Sequence, residues 1–281
     1  MLRRHVDVLS AATLKHLREQ WWDDAFTDFV KDTVQPRPGR RILDVGCGRG
    51  KAQVHLSRLR LTQVQLFAVD LDIDRVQAAL AAARSHNIRA GFAAADAGAL
   101  PFPDATFDST FTVAVLQHIN NVAGAVAELA RVTRPGGRIV AVEPDNATRF
   151  FYSSSEAGTD AYEAAGQFFT ALSLARGDST DPSVGPKLPT LFASNGIEPL
   201  SVHLFPVSRA QLGPPADAVW EARRAAVQQA ADRVPDESIK RLGQDYIKTL
   251  DRYAGDARAA GRGFVEIQNT MLFATVGQRT E

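Results

Sequence analysis

The chain has a single cysteine, Cys47, among its 281 residues, so it can form no internal disulfide and supports no cysteine-based metal site. It has no surplus of charge of either sign. Lys and Arg together number 32, as do Asp and Glu, so no net field draws it to nucleic acid or to an anionic membrane. Long apolar runs are also missing: no segment has the length needed to span a bilayer, and the opening residues Met-Leu-Arg-Arg-His-Val-Asp hold no apolar stretch of signal-peptide length. The expectation is a cytoplasmic protein with no membrane and no nucleic-acid partner. The rest is ordinary for a globular chain, with 45% hydrophobic and 23% charged residues and enough length to bury a full core.

One stretch stands out against that background. Arg41 to Gly50, Arg-Ile-Leu-Asp-Val-Gly-Cys-Gly-Arg-Gly, reads as a short apolar strand broken by glycines at 46, 48 and 50, with a helix-like run from Lys51 to about Leu59. Strand, glycine turn and helix start predict a concave nest of backbone N–H groups at a favourable dipole end. Glycines there let a ligand lie against the main chain. A dinucleotide site wants G-x-G-x-x-G; counting from Gly46, Lys51 stands where the last glycine should be. Asp44, two residues before the first glycine, places a carboxylate at the strand end, where it can face a bound amine.

The flanking chain alternates. Residues from about Ser10 to Val34 predict a helix, with Leu14, Leu17, Trp21, Trp22, Ala25, Phe29 and Val30 at three- and four-residue spacing, ended by Pro36, Pro38 and Gly39. A second strand, Val64 to Val69, ends in Asp70, where a carboxylate can accept from both hydroxyls of a ribose and repel a 2′-phosphate. Asp72 fits the start of the next helix. A third strand, Ala90 to Ala95, closes on Asp96-Ala97, and Asp96 could accept from an exocyclic adenine amine. The fourth, Ser109 to Val115, runs into Leu116-Gln117-His118-Ile119. A helix over Val122 to Val132 leads to a fifth, Arg138 to Val142, entered through Arg134-Pro135-Gly136-Gly137 and left through Glu143-Pro144-Asp145-Asn146. Five alternations of strand and helix predict a doubly wound parallel sheet.

With these residues in place, the sequence resembles the class I S-adenosylmethionine-dependent methyltransferases, particularly the branch acting on small molecules. The resemblance is carried by ILDVGCGRG at 42–50, AVD at 68–70, ADAGALPFPDATFD at 95–108, VLQHI at 115–119 and RPGGRIVAVEP at 134–144. It implies an α/β, three-layer Rossmann-like fold with a seven-stranded, mostly parallel sheet whose last strand is antiparallel, and S-adenosyl-L-methionine as cofactor. It also implies that Asp44 and the backbone of Gly46, Cys47 and Gly48 meet the methionine end, Asp70 with Leu71 the ribose, and Asp96 with Ala97 the adenine. Val113 in strand four and His118, just after it on the lip between cofactor and substrate, are also expected to meet the cofactor. The expected organisation is a single domain over 1–281: an N-terminal helical cap at 1–35, a cofactor-binding core at 36–146, a lid at 147–190, strands six (Ile197 to Val207) and seven (Phe264 to Val276), and a helical insertion at 208–262 between them. The plain family fold has only a short hairpin there.

Methyl transfer from a sulfonium is an in-line displacement, so the protein mainly aligns the acceptor and excludes water. A hydroxyl or activated-carbon acceptor also needs a base. His118 is the first candidate and Glu143 the second. Trp22, Tyr152, Tyr162 and Phe169 are expected to line the small-molecule substrate. The insertion could close that site or make a homodimer contact. Asp145-Asn146 matches a pair used by catechol-type O-methyltransferases for a divalent metal, but those enzymes also need an acid after strand four. Residues 116–120 hold none, so no metal is expected. The (Asn/Asp/Ser)-Pro-Pro-(Tyr/Phe) element of amino-methylating DNA enzymes is missing too. The expected activity is methylation of a small acceptor, a hydroxyl of a secondary metabolite first, with N- and C-methylation open. A member of the fold that binds or rearranges a small ligand without transferring methyl is the second reading. An NAD-linked reductase is disfavoured by Lys51. The Ala/Arg-rich, Lys-poor composition points to a GC-rich bacterial genome.

Overall fold

The computed structural model describes residues 21–57, 63–175, 181 and 183–281. The first part of the expected N-terminal helix (10–20), the end of the helix-like run after Lys51 (58–59) and residues 176–180 and 182 of the expected lid lie outside the described residues. The elements are α1 (Asp24–Val34), β1 (Arg41–Val45), α2 (Lys51–Ser57), β2 (Gln65–Asp70), α3 (Ile73–Ser85), β3 (Ala90–Ala94), β4 (Phe107–Val113), α4 (Val122–Val132), β5 (Thr133–Ser153), α5 (Glu156–Ala175), α6 (Leu188–Ala193), β6 (Ile197–Leu212), α7 (Asp217–Asp232), α8 (Glu237–Ala260) and β7 (Val265–Arg279).

These elements form an α/β fold. One sheet has the strand order β3-β2-β1-β4-β5-β7-β6, with antiparallel pairing confined to the last strands and helices packed around it. β1 pairs in parallel with β2 from Arg41↔Gln65 to Val45↔Val69, and with β4 from Ile42↔Ser109 to Asp44↔Phe111. The order reverses between β1 and β4, which makes the C-terminal ends of β1, β2 and β4 the switch point where α/β sheets bind ligands.

Local chemistry sets the boundaries. Asp23 caps α1 by accepting the Phe26 N–H at 2.8 Å, and Asp72 caps α3 by accepting from Asp74 at 2.9 Å, the role its spacing predicts. β4 ends two residues before the expected Val115, because Ala114 takes a left-handed conformation (φ 57°) and turns the chain. β5 is far longer than the expected Arg138 to Val142. It begins at Thr133, opposite Phe107, and the register shifts before Ser109↔Arg138. Arg134 to Gly137 is therefore an irregularity inside the strand. A Cβ on Gly137 would lie 2.6 Å from Thr133 Cγ2 and 2.8 Å from the Asp108 carbonyl, so only glycine fits the bulge.

The described residues divide into two compact units: 22–144 with 183–205 and 272–281, and 145–175 with 206–271. The first has a core of Leu43, Val45, Val69, Phe107, Leu116, Leu129, Ile139, Leu188 and Phe192. In the second, the helix expected in the lid and those expected in the insertion share one core. Phe168 and Leu172 of α5, Trp220 and Val227 of α7, and Tyr246, Leu250 and Tyr253 of α8 pack together with Phe264. A fully buried aromatic such as Phe168 contributes about 1.5–3 kcal/mol relative to exposure. Inside this core Arg223 and Glu266 make a buried two-pronged ion pair (3.1 and 2.8 Å), and Tyr253 donates to the same carboxylate at 2.9 Å.

Candidate cofactor site

The glycine turn is stitched to the end of β2. The Gly46 and Cys47 N–H groups both donate to the Val69 carbonyl, at 2.7 and 2.9 Å. The Gly48 N–H donates to Asp70 Oδ2 at 2.8 Å, and the Asp72 N–H to Asp70 Oδ1 at 3.1 Å. The nest that strand, turn and helix start predict is thus satisfied from within at residues 46–48. A turn whose donors are spent internally is a poor cradle for a pyrophosphate and leaves room for a cation.

The three glycines serve different ends. A Cβ on Gly46 would collide with Val115 at 2.2 Å, and one on Gly50 would press on Ala79 of α3 at 3.0 Å, whereas one on Gly48 would meet nothing within 4 Å. Gly46 therefore lets the segment after β4 close on the turn, and Gly50 lets α3 pack. Gly48 alone presents bare main chain to open space, in a left-handed conformation (φ 54°) that suits glycine. Cys47 is buried, and its thiol is pushed up by burial and by the nearby Asp44 and Asp70 carboxylates. It stays protonated and takes no part as a nucleophile.

Asp44 is 3% exposed. Its Oδ2 accepts from Gln53 Nε2 at 2.7 Å. Burial pushes its carboxyl up to about 7; the Gln53 hydrogen bond works against that rise and the Asp70 charge adds to it. A buried carboxylate beside a second acid favours a cation. Gln53 Oε1 is buried without a hydrogen-bond partner, a second acceptor left over in the same place. Asp70 is also buried, and an ionised carboxylate with two backbone donors keeps acceptor capacity for a diol. The residues present thus fit a ligand with a cationic amine and a ribose. Gln53 is the member that the sequence pattern misses, because a glutamine in the first turn of a helix carries no spacing signal of its own.

The remaining expected residues are placed as follows. Asp96 is exposed, with Oδ1 accepting the Gly98 N–H at 2.8 Å; Ala97 packs against the core. Leu71 is 75% exposed beside Asp70, and Val113 is half-buried at the end of β4. His118 is exposed at the end of a short 3-10 turn, Leu116–His118. Glu143, the second candidate base, is fully buried and accepts the N–H groups of Val115, Leu116 and Gln117 at 2.8, 2.7 and 3.3 Å. Its carboxylate anchors the segment that carries His118.

Trp22 is 8% exposed, stacked on His55 at 5.1 Å and edge-on to Phe26 at 5.0 Å. Tyr152, Tyr162 and Phe169 belong to the other compact unit. There Tyr152 is 48% exposed, Tyr162 stacks on Phe151 at 4.5 Å, and Phe169 meets Phe168 edge-on at 5.0 Å. Among the described residues no group of three or more His, Cys, Asp and Glu could hold a metal ion. Asp145 is engaged by its own strand, accepting from the Ala147 N–H at 3.0 Å and from the Thr148 hydroxyl. No helix among the described residues is long and apolar enough to cross a membrane.

Comparison with known proteins adds a family. Residues 43–141 match the family described as Methyltransferase domain. The 27-O-demethylrifamycin SV methyltransferase of Amycolatopsis mediterranei is 30% identical over 145 residues, 47% of this chain and 53% of that one. The O-methyltransferase rstn1 of Aspergillus nomiae is 35% identical, covering 50% of this chain and 67% of its own. The chain spans about half the length of the curated relatives it matches. Among solved structures, the [4+2]-cyclase SpnF aligns with a TM-score of 0.53 at 21% identity, over 92% of this chain and 81% of that one, a likeness of fold.

Proposed function

The chain belongs to the class I S-adenosylmethionine-dependent methyltransferases, and from that premise we propose that it transfers the methyl group of S-adenosyl-L-methionine to a small-molecule acceptor, an oxygen first among the candidate atoms. The observation that carries this reading is the pair of buried acids, Asp44 and Asp70, flanking a turn whose 46–48 N–H groups are already spent. Such a place suits an ammonium and a ribose diol and suits a pyrophosphate poorly. Relatives named as O-methyltransferases support oxygen as the target.

In this reading Asp44 holds the ammonium of the donor's methionine, Asp70 accepts from the ribose hydroxyls, and Asp96 meets the adenine amine. When bound, the donor supplies an activated methyl, so no further activation of that carbon is needed. His118 is the group placed to take a proton from an acceptor hydroxyl. Val115, seated on Gly46, is the group assigned to exclude water beside the glycine turn.

The test is an acceptor screen with a methyl-labelled donor, read as label in product and as S-adenosylhomocysteine formed. Label transferred to a hydroxylated small molecule is the expected result. Donor binding without turnover across a broad panel would instead favour a ligand-binding or rearranging member of the fold.

A further inference from the structure

Gln53 sits in the first turn of α2, 2% exposed, with its two amide atoms in unequal states. Nε2 donates to Asp44 Oδ2 at 2.7 Å, while Oε1 is buried and has no hydrogen-bond partner. With Asp44 ionised, the form an ammonium selects, the donation fixes which way the amide points, because a carboxylate can only accept. An unpaired buried acceptor is costly, and such a cost persists in a native site where a ligand relieves it. An ammonium has three donors, and one carboxylate oxygen does not satisfy them.

We propose that Gln53 is a cofactor-positioning residue: through Nε2 it turns the Asp44 carboxylate toward the ammonium of the donor's methionine, and through Oε1 it supplies a second acceptor to that same ammonium. The inference rests on the donor reading given above and names a residue that this reading does not need. Gln53 thereby recognises the amino-acid end of the cofactor and is indifferent to its nucleoside end.

Two probes separate the ends. S-adenosylhomocysteine carries the ammonium; 5′-methylthioadenosine shares the nucleoside and thioether but lacks the whole amino-acid portion. Both are titrated by calorimetry into the wild-type chain and into Gln53→Met, which keeps an unbranched side chain of similar volume without donor or acceptor. The expected result is a loss of about five- to tenfold for S-adenosylhomocysteine, the worth of one net hydrogen bond, with 5′-methylthioadenosine changed by less than about twofold. Equal losses for both probes would make Gln53 a scaffold of the turn and overturn the proposal, as would no loss for either. If Gln53→Met fails to fold, Gln53→Asn, which keeps an amide but shortens its reach, is measured against the same ratio. A wild-type chain that binds both probes alike would overturn the donor reading itself and this inference with it. That outcome is distinct, because it shows before any substitution is made.

Discussion

Val115 fills the space that a side chain at position 46 would need: a Cβ built on Gly46 would lie 2.2 Å from Val115 Cγ2 and 2.6 Å from Cγ1. The segment after β4 is therefore seated on the glycine turn, and the bareness of Gly46 serves that seating. Gly46→Ala should destabilise the fold by about 2–4 kcal/mol, from overpacking together with a left-handed conformation. Gly48→Ala, with open space beside it, should cost about 1 kcal/mol from conformation alone. Denaturant unfolding reads both. Val115→Ala should recover part of the Gly46→Ala loss and none of the Gly48→Ala loss; additive behaviour at both positions would refute the contact as the cause.

Asp44 gives a prediction about pH. Its carboxyl is raised from 3.8 to about 7 by burial, so between those values the folded chain holds a proton that the unfolded chain has lost. Stability then falls as pH rises. The contribution is complete below about pH 4 and gone once pH passes about 7, a decline of up to about 4 kcal/mol from the pKa difference. Asp44→Asn should flatten the decline and leave the chain more stable than wild type near pH 8. An ammonium ligand favours the anionic carboxylate, so S-adenosylhomocysteine should bind more tightly as pH rises through the same window, releasing a proton. Calorimetry in two buffers of different ionisation enthalpy counts that proton.

The Asp44 site also shows how far a sequence can be read. Strand, glycine turn and acid at 41–50, together with the acids at 70 and 96, place the ligand end of the sheet, because turn chemistry and strand periodicity are local. The capping role of Asp72 is legible for the same reason. What escapes is decided by neighbours distant in sequence. Glu143 reads as an acid at a strand tip facing a cleft, yet three backbone N–H groups 26–28 residues earlier claim it. Trp22 reads as a wall until His55 and Phe26 enclose it. The bulge in β5 hides inside a Pro-Gly-Gly run that looks like a turn, and the shared core of α5, α7 and α8 joins segments that sequence order separates.

Asp70 holds the turn and, in the proposed function, the ribose. Asp70→Ala should weaken S-adenosylhomocysteine binding by about 1–3 kcal/mol through the lost charge-assisted acceptor. It should also lower stability, because the Gly48 and Asp72 N–H groups lose their partner. Unchanged calorimetric affinity would exclude the ribose assignment.

His118 and Glu143 should separate cleanly. His118→Ala is expected to lower turnover by about 10²-fold while leaving S-adenosylhomocysteine affinity within about twofold. Glu143→Ala leaves buried N–H groups of Val115, Leu116 and Gln117 unpaired and should cost about 3 kcal/mol of stability or more. Glu143→Gln should retain the pH–rate profile of the wild type, since in this reading the profile reports His118. Loss of the basic dependence with Glu143→Gln, and not with His118→Ala, would return the proton-accepting role to Glu143.

Arg131 fixes the loop beyond Asp96 with every donor it has. Nε and Nη2 hold Glu128 at 2.6 and 2.8 Å, Nη2 also reaches the Leu100 carbonyl at 2.9 Å, and Nη1 reaches the Phe102 carbonyl and Asp104, both at 2.8 Å. Glu128 in turn accepts the Leu100 N–H at 2.7 Å. A lysine offers three donors from a single point and cannot reproduce a planar fork, so Arg131→Lys should behave more like Arg131→Ala than like wild type. Both should loosen residues 100–104, seen as faster amide exchange there. Both should also weaken S-adenosylhomocysteine more than its inosine counterpart, because Asp96, which the proposed function assigns to the adenine amine, loses its fixed place. Asp104→Asn, which removes only the charge of an exposed contact, should leave both ligands unaffected and serves as the control.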